Sequence, residues 1–523
     1  MDPQRIHDRR WWTLGVLCLS LTVIGLDNTI LNVALPTLVR DLGATSSQLQ
    51  WIVDSYVLVF AGLLLTAGSI GDRFGRKLAL FAGMAVFLGA SVLCAFADTA
   101  AMLITARALM GIGGALIMPS TLSIITNVFP PQELGKAIGI WAGVSGLGIV
   151  IGPLAGGWLL EHFWWGSVFL INVPFIVAAM AGSVLIPESK DPVAAKFDPA
   201  GAVLSILGLS VLVYAIIEAP AHGWLDPRTF AEFALAFVLL GHFMAWERRA
   251  PHPMLELGFF RNPRFSAASL SITMVFFAMF GSVFMNTQYL QFVLGYTPLQ
   301  AGVRVLPVVT MVPAARASDL LTKRFGTKRV VAAGLGLVAV ALFVLSTVSL
   351  GTGYGLVALS LALLGLGMGS AMAPATASIM ASLPRAKAGV GSAMNDTTRM
   401  VGGALGVAIA GSVLNSVYAH RVVAALPTAP AEVIAAAKSS VGAALAVAER
   451  VPAPFGPALA RVAQGAFVDG MGVALLVTAF AALLGAAIAV LFLPATGEDA
   501  EELEVAAGEP FHEPAGELVT VSA

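Results

Sequence analysis

Among the charges that stand inside long apolar stretches are Asp27, Asp54 and Asp396, with Arg107 and Arg399. A charge held at mid-membrane costs about 2.5–3.5 kcal/mol on insertion scales. Proton binding removes that charge, so Asp27, about two-thirds across the first apolar run, has the chemistry of a proton carrier. Arg107 in the fourth run needs a carboxylate or backbone carbonyls beside it. It is read either as a static structural partner of Asp27 or as a coupling residue that answers to Asp27 protonation. The two readings overlap, because a carrier can alternate between Arg107 and a proton. Asp54 lies one turn into the second run, as a hydrated interface residue or an acidic contact along a pathway. Asp396 follows Asn395 and precedes Arg399 by three positions, close enough to pair with it along one helix face.

Other chemistries find little support. The seven histidines show no metal-ligand spacing, and Cys18 and Cys94 lie in apolar runs that suggest no disulfide framework. No GxxxxGK[ST] loop points to ATP. The expectation is a protein that is not an enzyme and needs no cofactor, with a proton gradient as its energy source. A membrane-embedded enzyme or sensor is the competing class. It would require convergent nucleophile–base pairs or metal ligands in the spans, and the sequence offers none.

The elements that hold these charges follow from composition. Of 523 residues, 58% are hydrophobic and only 11% charged, with a net charge of -1. A soluble domain carries about 25% charged residues. This excludes a soluble enzyme, and a nucleic-acid binder would show a basic excess. A spanning helix needs roughly 20 apolar residues. Fourteen runs of that size occur, near 11–36, 51–71, 78–97, 102–126, 136–160, 166–187, 200–218, 229–246, 265–290, 299–321, 328–350, 353–381, 394–418 and 467–493. The first follows Arg9-Arg10 like a signal peptide, but it is too long and lacks a cleavage site, so it is read as a retained span. Nineteen of the 29 Lys and Arg fall in loops on the N-terminal side and two in short loops on the other. That bias places both termini in the cytoplasm of a multi-pass inner-membrane protein.

The pieces Arg73-Phe74-Gly75 and Arg324-Phe325-Gly326 recur at a shift of 251, as do Lys136-Ala137 and Lys387-Ala388. Gly111-Ile112-Gly113 and Gly365-Leu366-Gly367 recur at 254. Such a duplication, with an even number of spans between copies, implies two parallel six-span halves around a central site, a transporter architecture. The expected division is a cytoplasmic N-terminus (1–10), a six-helix bundle (11–187), two inserted transmembrane helices with flanking loops (188–264), a second six-helix bundle (265–493) containing an extracellular helical hairpin (420–466), and an acidic, disordered cytoplasmic tail (494–523).

The stretch Gly68-Ser69-Ile70-Gly71-Asp72-Arg73-Phe74-Gly75-Arg76-Lys77 resembles the G-x-x-x-D-R-x-G-R-[RK] loop signature of the major facilitator superfamily. Arg107 with Gly111-Ile112-Gly113-Gly114 resembles the family's fourth-span motif. Gly143, Gly146, Gly148, Gly152-Pro153 and Gly156-Gly157 resemble its antiporter motif. Leu26–Pro36 is similar to the first-span motif of the fourteen-span drug:proton antiporters. Trp51–Tyr56 and Phe169–Pro174 are similar to their quaternary-ammonium (EmrB/QacA-type) branch.

The resemblance implies an all-α polytopic membrane protein with the major-facilitator fold, two six-helix bundles plus two inserted helices. It implies proton-coupled multidrug efflux of lipophilic, often cationic small molecules by alternating access, by a monomer in the lipid bilayer, with no nucleic-acid partner. A dedicated exporter of one natural product, antibiotic or lipid is the alternative. The implied site residues are Asp27 and Arg107 for proton coupling, and Asp54, Asp396 and Asn395 for substrate or cation binding. A cytoplasmic gate loop falls on Gly68, Asp72, Arg73, Gly75 and Arg76, and a fifth-span hinge or seal on Gly148, Gly152, Pro153 and Gly156. Asn395 departs from the acidic residues common there in related exporters. The second loop has Lys323 where the first has Asp72, which leaves its latch incomplete. Arg316 and Asp319 are read as a local pair ahead of that loop.

Overall fold

The computed structural model describes residues 3–190, 198–251, 253, 255, 257–383, 388–427 and 429–493, with some helical side chains excluded, among them Asp72 and much of 131–150. The acidic tail expected at 494–523 lies outside the described residues. Those described form helices and no strand. In lipid each backbone N–H and C=O must find its partner within the chain, which long apolar helices achieve by themselves.

The first group comprises α1 (Pro3–Leu42), α2 (Ser46–Phe74), α3 (Arg76–Ala95), α4 (Ala100–Val128), α5 (Pro131–His162), and the short α6 (Ser167–Leu170) and α7 (Asn172–Gly182). Next come α8 (Pro199–His222) and α9 (Pro227–Glu247). The last group holds α10 (Pro263–Gln288), continued by a π-turn at Tyr289–Val293, α11 (Pro298–Arg304), α12 (Met311–Phe325), α13 (Thr327–Ser346), α14 (Tyr354–Ala381), α15 (Ala388–Ala425), the short α16 (Ala431–Ser439) and α17 (Val441–Arg450), and α18 (Phe455–Phe492). Thirteen segments among the described residues are long and apolar enough to cross a membrane. The Gly-rich fifth expected span coincides with α5, a continuous 32-residue helix through Pro153.

Helices α1–α7 pack on one another and so do α10–α18, as two bundles. The duplicated sequence pieces have a physical origin. Gly75 (φ +124°) and Gly326 (φ +81°) each end one helix and start the next. Their N–H groups close on Gly71 O at 3.0 Å and Thr322 O at 2.8 Å. Glycine tolerates this left-handed backbone because it has no Cβ. Gly83 of α3 and Gly113 of α4 meet backbone to backbone, and so do Gly334 of α13 and Gly367 of α14. A Cβ on Gly83 would lie 2.9 Å from Gly113 O, and one on Gly334 would lie 2.7 Å from Gly367 O. The end of the molecule that carries both turns is the basic end.

The closest approaches between the bundles lie toward the opposite, far end. Gln50 of α2, fully buried, donates its amide to Val407 O and Ala408 O of α15 at 3.2 and 3.0 Å. Asn415 donates to Gln50 Oε1 at 3.3 Å. Gly411 leaves the room this side chain needs. Gln291 reaches from the π-turn to Val33 O of α1 at 2.9 Å, and Gly157 of α5 lies against Leu299 of α11. At the same end α17 sets Gly442 between Val39 of α1 and Phe292. Helix α8 touches both bundles: Ile206 fills the gap over Gly62 of α2, and Ser412 of α15 donates to Ile216 O at 2.5 Å.

Losing a buried polar contact of the Gln50 kind costs about 1–3 kcal/mol. Gln50→Leu is therefore expected to raise the population separated at the far end by about tenfold. Spin labels on Cys variants of exposed Asp41 and Glu432 would read this as growth of a longer distance; an unchanged distance distribution would refute it.

One local expectation is corrected. Asp319 pairs with Lys323 at 2.9 Å, not with Arg316. Four residues onward along the helix, acid before base, is the better-aligned partner.

Candidate functional site

Asp27 sits in the middle of α1 at 0% exposure and forms an ion pair with Nη1 of Arg107 on α4, itself 1% exposed. Arg107 Nε donates to Ile52 O of α2 at 3.0 Å. The guanidinium lies over the Tyr56 ring, 4.4 Å from its centroid. Tyr56 in turn stacks on Phe60 and meets Phe87 edge-on. Helices α1 and α2 thus hold the cation of α4 through a carboxylate, a carbonyl and a π-face. Each contact offsets part of the desolvation cost of a buried charge. Asp27 Oδ1 has no hydrogen-bond partner, and neither has the Tyr56 hydroxyl. A proton arriving on Oδ1 would displace no existing bond.

The α1 segment around Asp27 is shaped by short polar side chains. Asn28 donates to Ile24 O at 2.9 Å and Asn32 to Asn28 O at 3.3 Å. Thr29 reaches across to Gly148 O of α5 at 2.9 Å. Bonds of this kind to preceding carbonyls bend helices. Gly148 abuts the Gly25 backbone, Gly152 abuts Thr29 and Gly156 abuts Ile30. Close backbone packing of small residues is a membrane-helix device. Pro153, between them, offers its carbonyl side to Gly302 of α11. Helix α5 therefore touches the Asp27-bearing helix α1 on one face and the other bundle on another.

Asp54, also on α2, is 0% exposed, and neither of its oxygens has a hydrogen-bond partner. It stands two residues from both Ile52 and Tyr56 and is closed off from solvent, which departs from the hydrated-interface reading. Asp396 on α15 is 8% exposed and contacts Arg399 at 3.4 Å. Asn395 beside it is buried, with its Oδ1 unpartnered. Asp27 and Arg107 are brought together; Asp396 and Asn395 belong to the other bundle, apart from that pair.

At the basic end, Gly68 of α2 faces Pro119 of α4. Arg73 is exposed, with its guanidinium 5.7 Å from the Phe74 ring. The Asp72 side chain lies outside the described residues. Arg76 donates its backbone N–H to Ser189 O at 3.0 Å and a side-chain N–H to Ser123 O at 3.4 Å. The segment Glu188–Lys190 crosses the Gly75 turn so closely that a Cβ there would sit 2.5 Å from Glu188 Oε1. Among the described residues no cluster of three His, Cys, Asp or Glu assembles a metal site.

Several contributors escaped sequence reasoning. Tyr56 and Gln50 both flank Asp54, and polar groups in an apolar run were the available signal. The Ile52 carbonyl leaves no signal at all. Asn172 also gains a role, donating to Ser91 Oγ at 3.0 Å while Ser91 donates to Phe169 O at 2.9 Å, across the break between α6 and α7.

A family model described as Major Facilitator Superfamily matches residues 17–407. The multidrug efflux pump LfrA of Mycolicibacterium smegmatis is 38% identical over 492 residues, covering 92% of this chain and 97% of its own. The methyl viologen resistance protein SmvA of Salmonella typhimurium is 34% identical over 474 residues, covering 89% and 95%. Among solved structures, a bacterial homologue of the human lysosomal transporter Spinster superposes with a TM-score of 0.67 at 19% identity, covering 95% of this chain and 98% of that one.

Proposed function

Because the chain belongs to the Major Facilitator Superfamily, we propose that it is a proton-coupled multidrug exporter, moving lipophilic, often cationic compounds out of the cell by alternating access. The observation that carries this reading is the buried Asp27–Arg107 pair with one carboxylate oxygen left unbonded. A carboxylate that can exchange a guanidinium for a proton is a two-state element, and the exchange biases how α1, α2 and α4 sit together. Efflux of a multidrug kind also accords with the names of its relatives.

The basic end faces the cytoplasm of the cell membrane, as the loop charges favour. From the contacts between bundles toward the far end we infer a cleft that opens to the cytoplasm in this state. A compound enters between the bundles, aided by Asp54, Asp396 and Asn395. Reorientation exposes the cleft outside, where protons reach Asp27 and remove the counter-charge that favours a bound cation. Arg107, released from the carboxylate, leans on Ile52 O and Tyr56 and transmits the change. The 68–77 loop latches the cytoplasmic side when the outside is open. The Gly148, Gly152, Pro153 and Gly156 face of α5 serves as hinge and seal. The protein works as a monomer, and its energy is the proton gradient alone.

In proteoliposomes with an acidic exterior-equivalent side, ethidium is expected to move uphill and an uncoupler to abolish that movement. Transport that persists undiminished with the gradient collapsed would refute proton coupling. A panel in which one compound alone is moved would narrow the reading to a dedicated exporter.

A further inference from the structure

Two arginines within the helices, Arg107 and Arg399, are held very differently. Arg107 has a carboxylate, a carbonyl and an aromatic face. Arg399 has one contact to Asp396 Oδ1 at 3.4 Å and donates to Thr376 Oγ1 at 3.3 Å. Its guanidinium carbon stands 5.5 Å from the centroid of Phe276, and Phe276 stacks on Phe280 at 6.2 Å. Arg399 Nε is buried with no acceptor. This cation is loosely bound, through long contacts and with one donor unmet, so little is lost when it leaves. Its side chain retains 25% exposure and that of Asp396 12%, so the corner between α10, α14 and α15 is reachable.

A carboxylate beside an aromatic face is the pair of groups that recognises an organic cation. Arg399 satisfies both from the same chain, as a substrate would. We propose that Asp396 and Phe276 form a subsite for a lipophilic organic cation and that Arg399 is its tethered competitor, occupying the subsite until the substrate displaces the guanidinium. This deepens the exporter reading and rests on it. Arg399 that leaves the carboxylate keeps Thr376 within reach, whereas a cation that enters gains the carboxylate and the ring together. Neutral compounds gain nothing from the displacement, so Arg399 sets a threshold that favours cations over neutral molecules of equal size.

The test uses the full chain in detergent, with tetraphenylphosphonium as cation and triphenylphosphine oxide as neutral probe. Arg399→Met keeps the length and removes the competitor. It is expected to tighten tetraphenylphosphonium binding by about fivefold or more, the scale of a removed internal competitor, with the neutral probe unchanged. Arg399→Lys retains the competition and is expected to stay near the unmodified protein. Asp396→Asn is expected to weaken the cation about tenfold and to cancel the gain when combined with Arg399→Met. Equal or weaker cation binding in Arg399→Met would overturn the proposal, as would parallel changes for both probes. If Arg399→Met fails to fold, Phe276→Leu decides: cation affinity must fall while the neutral probe is unaffected, and equal loss of both refutes the subsite. Should the unmodified protein bind no organic cation, the exporter reading itself falls. Binding that is merely indifferent to Arg399 removes this inference alone.

Discussion

Asp27→Asn is expected to abolish uphill efflux, with initial rates under a pH gradient falling by about 100-fold or more, the scale of losing an essential proton-transfer group. Asn fills the same space but neither carries a charge nor releases a proton. The variant remains fixed in the state that mimics protonated Asp27, so substrate exchange without a gradient is expected to survive. The folded state suffers as well. Removing one partner of a buried ion pair costs about 3–5 kcal/mol, because Arg107 loses its counter-charge and keeps only neutral partners such as the Ile52 carbonyl, the Tyr56 ring and the Met110 sulfur. Adding Arg107→Gln should recover much of the thermal stability but none of the uphill transport. That combination separates the structural contribution of the pair from its coupling role. Gradient-driven ethidium movement at the unmodified rate in Asp27→Asn would remove Asp27 as the carrier.

Gly148→Ala is expected to be nearly as damaging by a different route. A Cβ at this position would lie 2.5, 2.6 and 2.8 Å from C, Cα and O of Gly25. These are backbone atoms and cannot rotate aside, so α1 and α5 must part. Overpacking of this kind costs about 1–3 kcal/mol. The displaced segment of α1 carries Asp27 two residues further on, so the ion pair moves with it. Transport should fall by at least about tenfold, and the melting temperature should drop. Gly15→Ala on the same helix is the control, because nothing lies within 4 Å of its added Cβ. It should leave both measurements unchanged or raise stability slightly. If Gly148→Ala matches Gly15→Ala, the seam is not the constraint described.

Much of the fold was legible because lipid reduces the choices. Apolar runs near the thickness of a bilayer have to be helices, and uncompensated charges inside them need each other. That cost requires a carboxylate or carbonyls beside Arg107; that the carboxylate is Asp27, while Asp54 has no partner, needed coordinates. The repeated Arg-Phe-Gly pieces pointed to duplication, yet their cause, a positive-φ glycine joining two helices, needed coordinates. The Gly83–Gly113 and Gly334–Gly367 contacts show why the other repeated glycines are small. What stayed hidden involves backbone acceptors. Gln50 binding two carbonyls of α15, and Arg107 binding Ile52 O, use atoms that every residue has. No pattern of residue types marks them. Asp319 has two bases within helical reach, and the i,i+4 order with acid before base favours Lys323 over Arg316.

Helix α8 is clasped by both bundles, through Ile206 over Gly62 and through the Ser412 bond to Ile216 O. Mechanically it is the spine of a book whose covers are the two bundles. Along that edge, the α2–α15 side, separation is limited to what one bound helix can tolerate. Among the described residues the opposite edge, where Gly157 meets Leu299 and Gly302 meets Pro153, is joined by direct backbone packing with no helix spanning it. The cleft should therefore open as a wedge, broad at the α5–α11 edge and narrow at the spine, and the largest compounds should pass on the broad side.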